Sequence, residues 1–197
     1  MTLPNKISIF RLFLIPLIVA VWIFPFAQVG IDMPVYNIGL VSVSLKNIIV
    51  LVLFAIGSFS DFLDGYLARK NNQVTTFGKF IDPIADKCLT TTMFVLLAAS
   101  QIIPVIPVIV MIWRDTIVDG TRMMAAGKGS IMAAGILGKI KTASQMFCII
   151  LTLLNNFPFE LAGVPASNIL LWFSMIISVL GGIDYYNQAK AYIWETK

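Results

Sequence analysis

Predominantly apolar stretches, each close to the ~20 residues a helix needs to cross a bilayer, recur along nearly the whole of this 197-residue chain. No motif restricts the fold as much. In hydrocarbon, every backbone N–H and C=O must be satisfied within the segment itself, so repeated spans of this length mean a bundle of helices. Composition agrees. The chain is 58% hydrophobic and 12% charged, whereas soluble domains carry about 25% charged residues. The expected fold class is therefore an all-α integral membrane protein with six transmembrane helices and a polar cavity opening to the cytoplasmic side. Residues 1–197 are expected to form one membrane domain.

The six spans are expected at Ile7–Gln28, Lys46–Arg69, Gly78–Gln101, Pro104–Met124, Lys139–Asn155 and Ser167–Gln188. The helix breakers fall between them, in Ile31–Asn37 with Pro34, Lys70–Thr76, Ile103–Pro107, Gly127–Gly138 and Phe157–Pro165. The first apolar run, Leu12–Val29, follows Lys6 and Arg11 as a signal peptide would, but it lacks a clear small-x-small cleavage site. It reads as a retained first helix. Alternating six helices puts Lys6, Arg11, Arg69, Lys70, Lys79, Lys87, Arg114, Arg122, Lys128, Lys139, Lys141, Lys190 and Lys197 toward one side, leaving only Lys46 on the other. The positive-inside rule makes the basic side cytoplasmic, with both termini there, in the cell membrane.

The chain has no histidine. That excludes histidine bases and histidine-ligated zinc or haem, so a general base must be a carboxylate or something less usual. Cys88 and Cys148 lie far apart inside apolar stretches and read as two reduced core thiols.

Acidic residues interrupt the spans. Asp61 and Asp64 are spaced i,i+3 near the end of the second helix, and Asp82 and Asp86 are spaced i,i+4 near the start of the third. Each pair shares one helix face. The helices are antiparallel with a short polar connection, so the two pairs can meet near their cytoplasmic ends. Four carboxylates together at low dielectric repel unless protons or cations neutralise them. Oxygen-only donors suit hard ions, magnesium above all, and two such ions would form a clamp for phosphoryl chemistry. The competing structural reading is ion pairing with Arg69, Lys79 and Lys87. Gly65, Ala68 and Gly78 let a phosphate-bearing ligand approach the backbone, and Arg69 can hold a diphosphate by paired hydrogen bonds.

A second polar cluster follows. Asp115, Asp119 and Arg122 fall at i, i+4 and i+7 of the fourth helix, beside Arg114, and Lys139, Lys141 and Thr142 open the fifth. Four cations near one cavity, Arg114, Arg122, Lys139 and Lys141, suit an acceptor that carries its own phosphate. The alternative is contact with anionic lipid headgroups.

The stretch Asp61–Asp86 reads D-x2-D-G-x2-A-R-x8-G-x3-D-x3-D. It resembles the signature of the CDP-alcohol phosphatidyltransferases, with eight fixed positions at fixed gaps. The resemblance implies that Asp61, Asp64, Asp82 and Asp86 hold two divalent ions (Mg2+ or Mn2+), that Asp86 is the general base, and that Gly65, Ala68, Arg69 and Gly78 receive the CDP donor. Six membrane helices and a homodimer are family properties as well.

The chain is also similar to one branch, the phosphatidylglycerophosphate synthases. The likeness lies in the opening Leu3-Pro4-Asn5-Lys6-Ile7-Ser8 with Arg11, in Gly78–Lys87, in Arg114-Asp115 with Arg122, and in Gly138-Lys139-Ile140-Lys141-Thr142. Asn5 joins the donor-binding set on this resemblance. Asp115 stands where a glutamate is usual and Asp119 where a serine is usual. The implied reaction joins CDP-diacylglycerol and sn-glycerol 3-phosphate to give phosphatidylglycerophosphate and CMP. Another phosphorylated acceptor, such as inositol phosphate, is the nearest alternative. A membrane transporter is a more distant one, because intramembrane carboxylates also mark transport pathways.

Overall fold

The computed structural model describes residues 3–39, 41–70, 76–127 and 135–193; the side chains at 3–5, 38, 62, 64–70, 76–83, 126–127, 189 and 191–193 lie outside the description. Helices account for most of it. They are α1 (Leu3–Ile23), α2 (Leu45–Lys70), α3 (Thr76–Ala99), α4 (Val105–Gly127), α5 (Ile136–Leu153) and α6 (Ala166–Ile193). The six apolar stretches of the sequence are these six helices, shifted by a few residues at their ends. α1 stops at Ile23 rather than running to Gln28, because Pro25 lacks an N–H and disfavours helical backbone at the residue before it. A short 3-10 helix, Phe26–Val29, takes over and ends at Gly30 with φ +75°. α6 runs five residues beyond the expected Gln188, to Ile193.

One element departs from an all-α expectation. β1 (Val35–Ile38) and β2 (Val41–Ser44) form an antiparallel hairpin, with Val35 opposite Ser44 and Ile38 opposite Val41. Apolar and small polar residues alternate along β2, so Val41 and Val43 are buried while Ser42 faces out. The turn passes through Gly39 at φ +64°, a backbone conformation costly for other residues. The strands then lead directly into α2, where Leu45 N–H donates to Pro34 O at 2.8 Å.

α1 packs along α2 and α3, while α4 and α5 both pack against α6. The core between them is built from Leu14 and Ile18 of α1, Phe54 of α2, Met93 and Leu97 of α3, Ile149 of α5 and Leu171 of α6. α1, α2 and α3 converge at Gly57, where a Cβ would lie 2.8 Å from Leu89 Cδ2 and 3.1 Å from Leu14 Cδ2. Small hydroxyls join helices elsewhere, as interhelical hydrogen bonds do in a membrane. Ser174 Oγ donates to Ser144 Oγ at 2.9 Å, and Trp22 Nε1 donates to Ser100 Oγ at 2.9 Å.

The outside is also apolar. Phe13, Ile106, Trp113, Phe147 and Ile176 are among many large hydrophobic side chains that point away from the bundle. An outer surface this apolar suits lipid rather than water. Among the described residues, three helices are long and apolar enough to cross a membrane by length and composition alone: Lys6–Ile23, Ile136–Leu153 and Ala166–Gln188. The two cysteines differ from the expected pair of core thiols. Cys148 is buried, but Cys88 is exposed, because it falls off the Ala85–Leu89–Met93 stripe that α3 turns inward.

Candidate active site

Two of the four signature carboxylates, Asp61 on α2 and Asp86 on α3, have described side chains. Asp61 accepts a hydrogen bond from Arg11 Nη1 at 2.6 Å. Arg11 is wholly buried, and a buried guanidinium needs a carboxylate partner to offset its desolvation. The sequence contained this signal, an arginine inside the first apolar span, yet nothing in it named Asp61 as the partner 50 positions away. Asp86 lies within coulombic reach of Asp61, Arg11, Lys141 and Lys87. Both carboxylates therefore belong to one electrostatic neighbourhood, assembled from α2 and α3 with Arg11, Lys87 and Lys141 around them. Asp64, Asp82, Gly65, Ala68, Arg69, Gly78 and Asn5 lie on α1, α2 and α3, with side-chain positions outside the described residues. Among the described residues no cluster of three metal-binding side chains forms.

The second polar cluster, expected to meet a phosphorylated acceptor, has more of its side chains in place. A cavity of about 520 Å³ is lined by Asp86 and Lys87 of α3, Arg114, Val118 and Arg122 of α4, Gly138, Lys139, Lys141, Thr142, Ala143 and Met146 of α5, and Tyr185 of α6. All four cations singled out from sequence line this cavity, together with the carboxylate proposed as base. The lining face of α4 is Arg114–Val118–Arg122, spaced i, i+4, i+8.

The two acids of α4 turn aside to neighbouring helices. Asp115 accepts from Lys141 Nζ at 2.6 and 2.5 Å and from Arg114 Nη1 at 2.9 Å. Asp119 pairs with Lys87, which ties α4 to α3. Of the cations named for structural pairing with the acidic quartet, Lys87 thus goes to a different acid. With Asp115 set against Arg114 and Lys141, the cavity wall keeps a surplus of positive charge. Arg114 Nε and Nη2 are buried and have no hydrogen-bond partner among the described atoms. A buried donor in that condition costs about 1–3 kcal/mol unless an acceptor meets it. An anion in the cavity is such an acceptor.

Sequence reasoning left one wall of the cavity unassigned. Tyr185 of α6 is buried, and the guanidinium carbons of Arg122 and Arg114 stand 5.1 and 5.7 Å from its ring centroid. One turn earlier, Gly181 and Gly182 lie directly against the Arg114 side chain. The only mark of this wall in the sequence is the end of the apolar run of α6 at Gly181 and Gly182, just before Asp184 and Tyr185, and that does not name Arg114 or Arg122 as neighbours.

A sequence model of the family described as CDP-alcohol phosphatidyltransferase matches residues 1–180. The chain is 39% identical over 186 residues to the CDP-diacylglycerol–glycerol-3-phosphate 3-phosphatidyltransferase of Bacillus subtilis, covering 94% of each chain. It is 34% identical to the Haemophilus influenzae protein of the same name, over 95% of this chain and 93% of the relative. With the Rickettsia typhi protein of that name it shares 30% identity, over 96% of this chain and 98% of the relative. The signature acids, the helical bundle and this end-to-end likeness converge on one conclusion: the chain belongs to the CDP-alcohol phosphatidyltransferase family.

Proposed function

We propose that this chain transfers the phosphatidyl group of CDP-diacylglycerol to sn-glycerol 3-phosphate, releasing CMP and phosphatidylglycerophosphate. The observation that carries the reading is the shared cavity, in which Asp86 stands with Arg114, Arg122, Lys139 and Lys141. An acceptor held there by its phosphate has its free hydroxyl near a carboxylate able to take a proton. The names of the Bacillus and Haemophilus relatives specify this acceptor and support the same reading.

In this reading the acceptor hydroxyl oxygen attacks the lipid-side phosphorus, and the bond from that phosphorus to the CMP oxygen breaks. Asp86 receives the hydroxyl proton. The cationic wall orients the acceptor phosphate, and an oriented nucleophile reacts far faster than a free one. Arg69, with Asn5, Gly65, Ala68 and Gly78, receives the CDP portion of the donor. Asp61, Asp64, Asp82 and Asp86 would hold two Mg2+ or Mn2+ ions, which fits an all-oxygen donor set on facing helices and an Asp61 carboxylate already steadied by Arg11. The chemistry such ions supply when bound is Lewis-acid polarisation of the diphosphate and stabilisation of charge on the leaving nucleotide.

All six helices cross the membrane in this reading. Their lengths of 18 to 28 residues support it, since at 1.5 Å per residue even the shortest extends roughly 27 Å. α2, α3 and α4 carry most of their charges toward one end, which supports a site in the cytoplasmic half, and in this reading the chain works as a homodimer. CMP release from labelled CDP-diacylglycerol tests the reaction. Glycerol 3-phosphate should support it far better than serine or inositol phosphate. Equal release with all three would remove the acceptor assignment, and no release with any would remove the reaction.

A further inference from the structure

The cations of the cavity come from α4 and α5, but the surface they rest on comes from α6. Arg114 and Arg122 are eight residues apart, so their Cα atoms are separated by about 12 Å along α4. Their guanidinium groups nevertheless approach the same tyrosine ring, at 5.7 and 5.1 Å from its centroid. Two like charges gain nothing by approaching each other. A ring that attracts both by its quadrupole offsets that repulsion and fixes where each plane lies. Tyr185 is well suited to this, because its own position is constrained at both ends. The residue is 5% exposed, and its phenolic oxygen accepts a hydrogen bond from Gly135 N–H at 3.2 Å. Gly135 is the N-cap of α5, the helix that carries Lys139 and Lys141.

A second feature of α6 acts on the same arginine. An added Cβ at Gly181 would sit 2.9 Å from Arg114 Nη2, and one at Gly182 would sit 3.0 Å from Arg114 Cγ. The Arg114 side chain therefore lies against bare helix backbone before it reaches the ring. Its Nη1 is engaged with Asp115, whereas Nε and Nη2 have no hydrogen-bond partner among the described atoms. The aromatic ring and the glycine step together set the direction in which the guanidinium presents its donors.

We propose that Tyr185 is the positioning residue of the acceptor-phosphate site, holding Arg114 and Arg122 in register through its ring, with Gly181 clearing the space that Arg114 needs. This rests on the acceptor-phosphate reading above and adds α6 to it. The ligand class is a small phosphomonoester whose dianionic group meets both guanidiniums at once. Recognition of this kind is geometric as well as electrostatic, since a guanidinium plane delivers parallel hydrogen bonds only in one orientation.

The test is steady-state kinetics of the full-length protein in mixed micelles of constant anionic lipid content, with glycerol 3-phosphate and CDP-diacylglycerol varied separately. Tyr185→Leu, which keeps an apolar side chain and removes the ring, should raise KM for glycerol 3-phosphate about 10-fold, the loss expected from a desolvated cation–π contact. KM for CDP-diacylglycerol should stay within about twofold, because the donor site uses other residues. Tyr185→Phe keeps the ring and should recover most of the acceptor affinity. Gly181→Ala presses on the far end of a flexible side chain rather than on backbone, so it should leave the bundle folded and also raise the acceptor KM. It decides the matter if Tyr185→Leu does not yield folded protein.

Arg122→Ala separates the two ideas. If Arg122→Ala raises the acceptor KM while Tyr185→Leu or, failing that, Gly181→Ala leaves it unchanged, the positioning role is wrong and the acceptor site stands. If Arg122→Ala also has no effect, the acceptor reading itself fails. A Tyr185→Leu protein that loses affinity for both substrates in parallel with thermal stability, and that Phe does not rescue, would show a merely structural tyrosine and overturn the proposal.

Discussion

Lys141 meets Asp115 at two points, with Nζ 2.6 Å from Oδ1 and 2.5 Å from Oδ2, joining α5 to α4 beside the cavity. The same carboxylate also receives Arg114 at 2.9 Å. One acid thus anchors two of the cations assigned to the acceptor phosphate, and does so among groups that are largely shielded from solvent. The side chains of Lys141, Arg114 and Asp115 are 9%, 11% and 19% exposed.

That arrangement predicts a stability effect. Asp115→Ala strands two buried cations and should cost about 3 kcal/mol, as broken buried pairs do. Thermal unfolding in detergent measures it. Asp115→Glu, which keeps the charge, should lose much less. A cost within about 0.5 kcal/mol for the alanine variant would mean that the contact behaves like an exposed surface pair.

The signature acids predict metal dependence. Chelation should abolish turnover, and magnesium or manganese should restore it. Asp61→Asn, Asp64→Asn and Asp82→Asn should each lose more than ~100-fold in kcat, the size of a major electrostatic contribution. Asp86→Asn should depress kcat severely while donor binding in saturating metal stays near normal, because a base is needed only in the chemical step. Full activity in EDTA would sink the ion-holding role. Loss of donor binding in Asp86→Asn as complete as in Asp61→Asn would make Asp86 chiefly a ligand.

Packing at Gly57 predicts a contrast between two glycines. A side chain there meets Leu89 and Leu14, so Gly57→Val should destabilise the bundle by about 1–3 kcal/mol through overpacking. Gly120 on α4 has open space where its Cβ would stand. Gly120→Ala should therefore be neutral or stabilising by up to about 1 kcal/mol, from helix propensity. Equal unfolding temperatures for the two variants would contradict the close approach of α1, α2 and α3.

Topology is open to labelling in sealed vesicles. A cysteine at Asn72, between α2 and α3, should react only with reagent on the cytoplasmic side, and one at the exposed Glu160, between α5 and α6, only with reagent outside. Each is placed in a protein whose Cys88 and Cys148 have been replaced by serine and alanine. Labelling of position 72 from the outside would invert the orientation and move the site to the other face.

The periodicities that sequence displays directly were legible. Apolar runs near the bilayer length marked six helices, and Asp61, Asp64, Asp82 and Asp86 do fall within α2 and α3, with the side chains of Asp64 and Asp82 outside the described residues. The basic residues Arg114, Arg122, Lys139 and Lys141 were likewise visible as a cluster, and they do line one cavity. The hairpin Val35–Ser44 was hidden, since two four-residue strands leave too short an alternation to stand out beside a proline loop.

Partnerships across the bundle belonged to the tertiary structure. Arg11 finds Asp61 50 positions away, Lys87 finds Asp119 32 away, and Lys141 finds Asp115 26 away. α4 shows why sequence could not assign them. Asp115, Asp119 and Arg122 share a face by spacing alone, yet they face Lys141 of α5, Lys87 of α3 and Tyr185 of α6 in turn. A helix sets the angle at which each side chain leaves its own axis. Which neighbour stands there depends on how the other helices pack, and that is decided by fits such as Leu89 and Leu14 against the bare backbone of Gly57, or Arg114 against Gly181, acting over long separations in the chain.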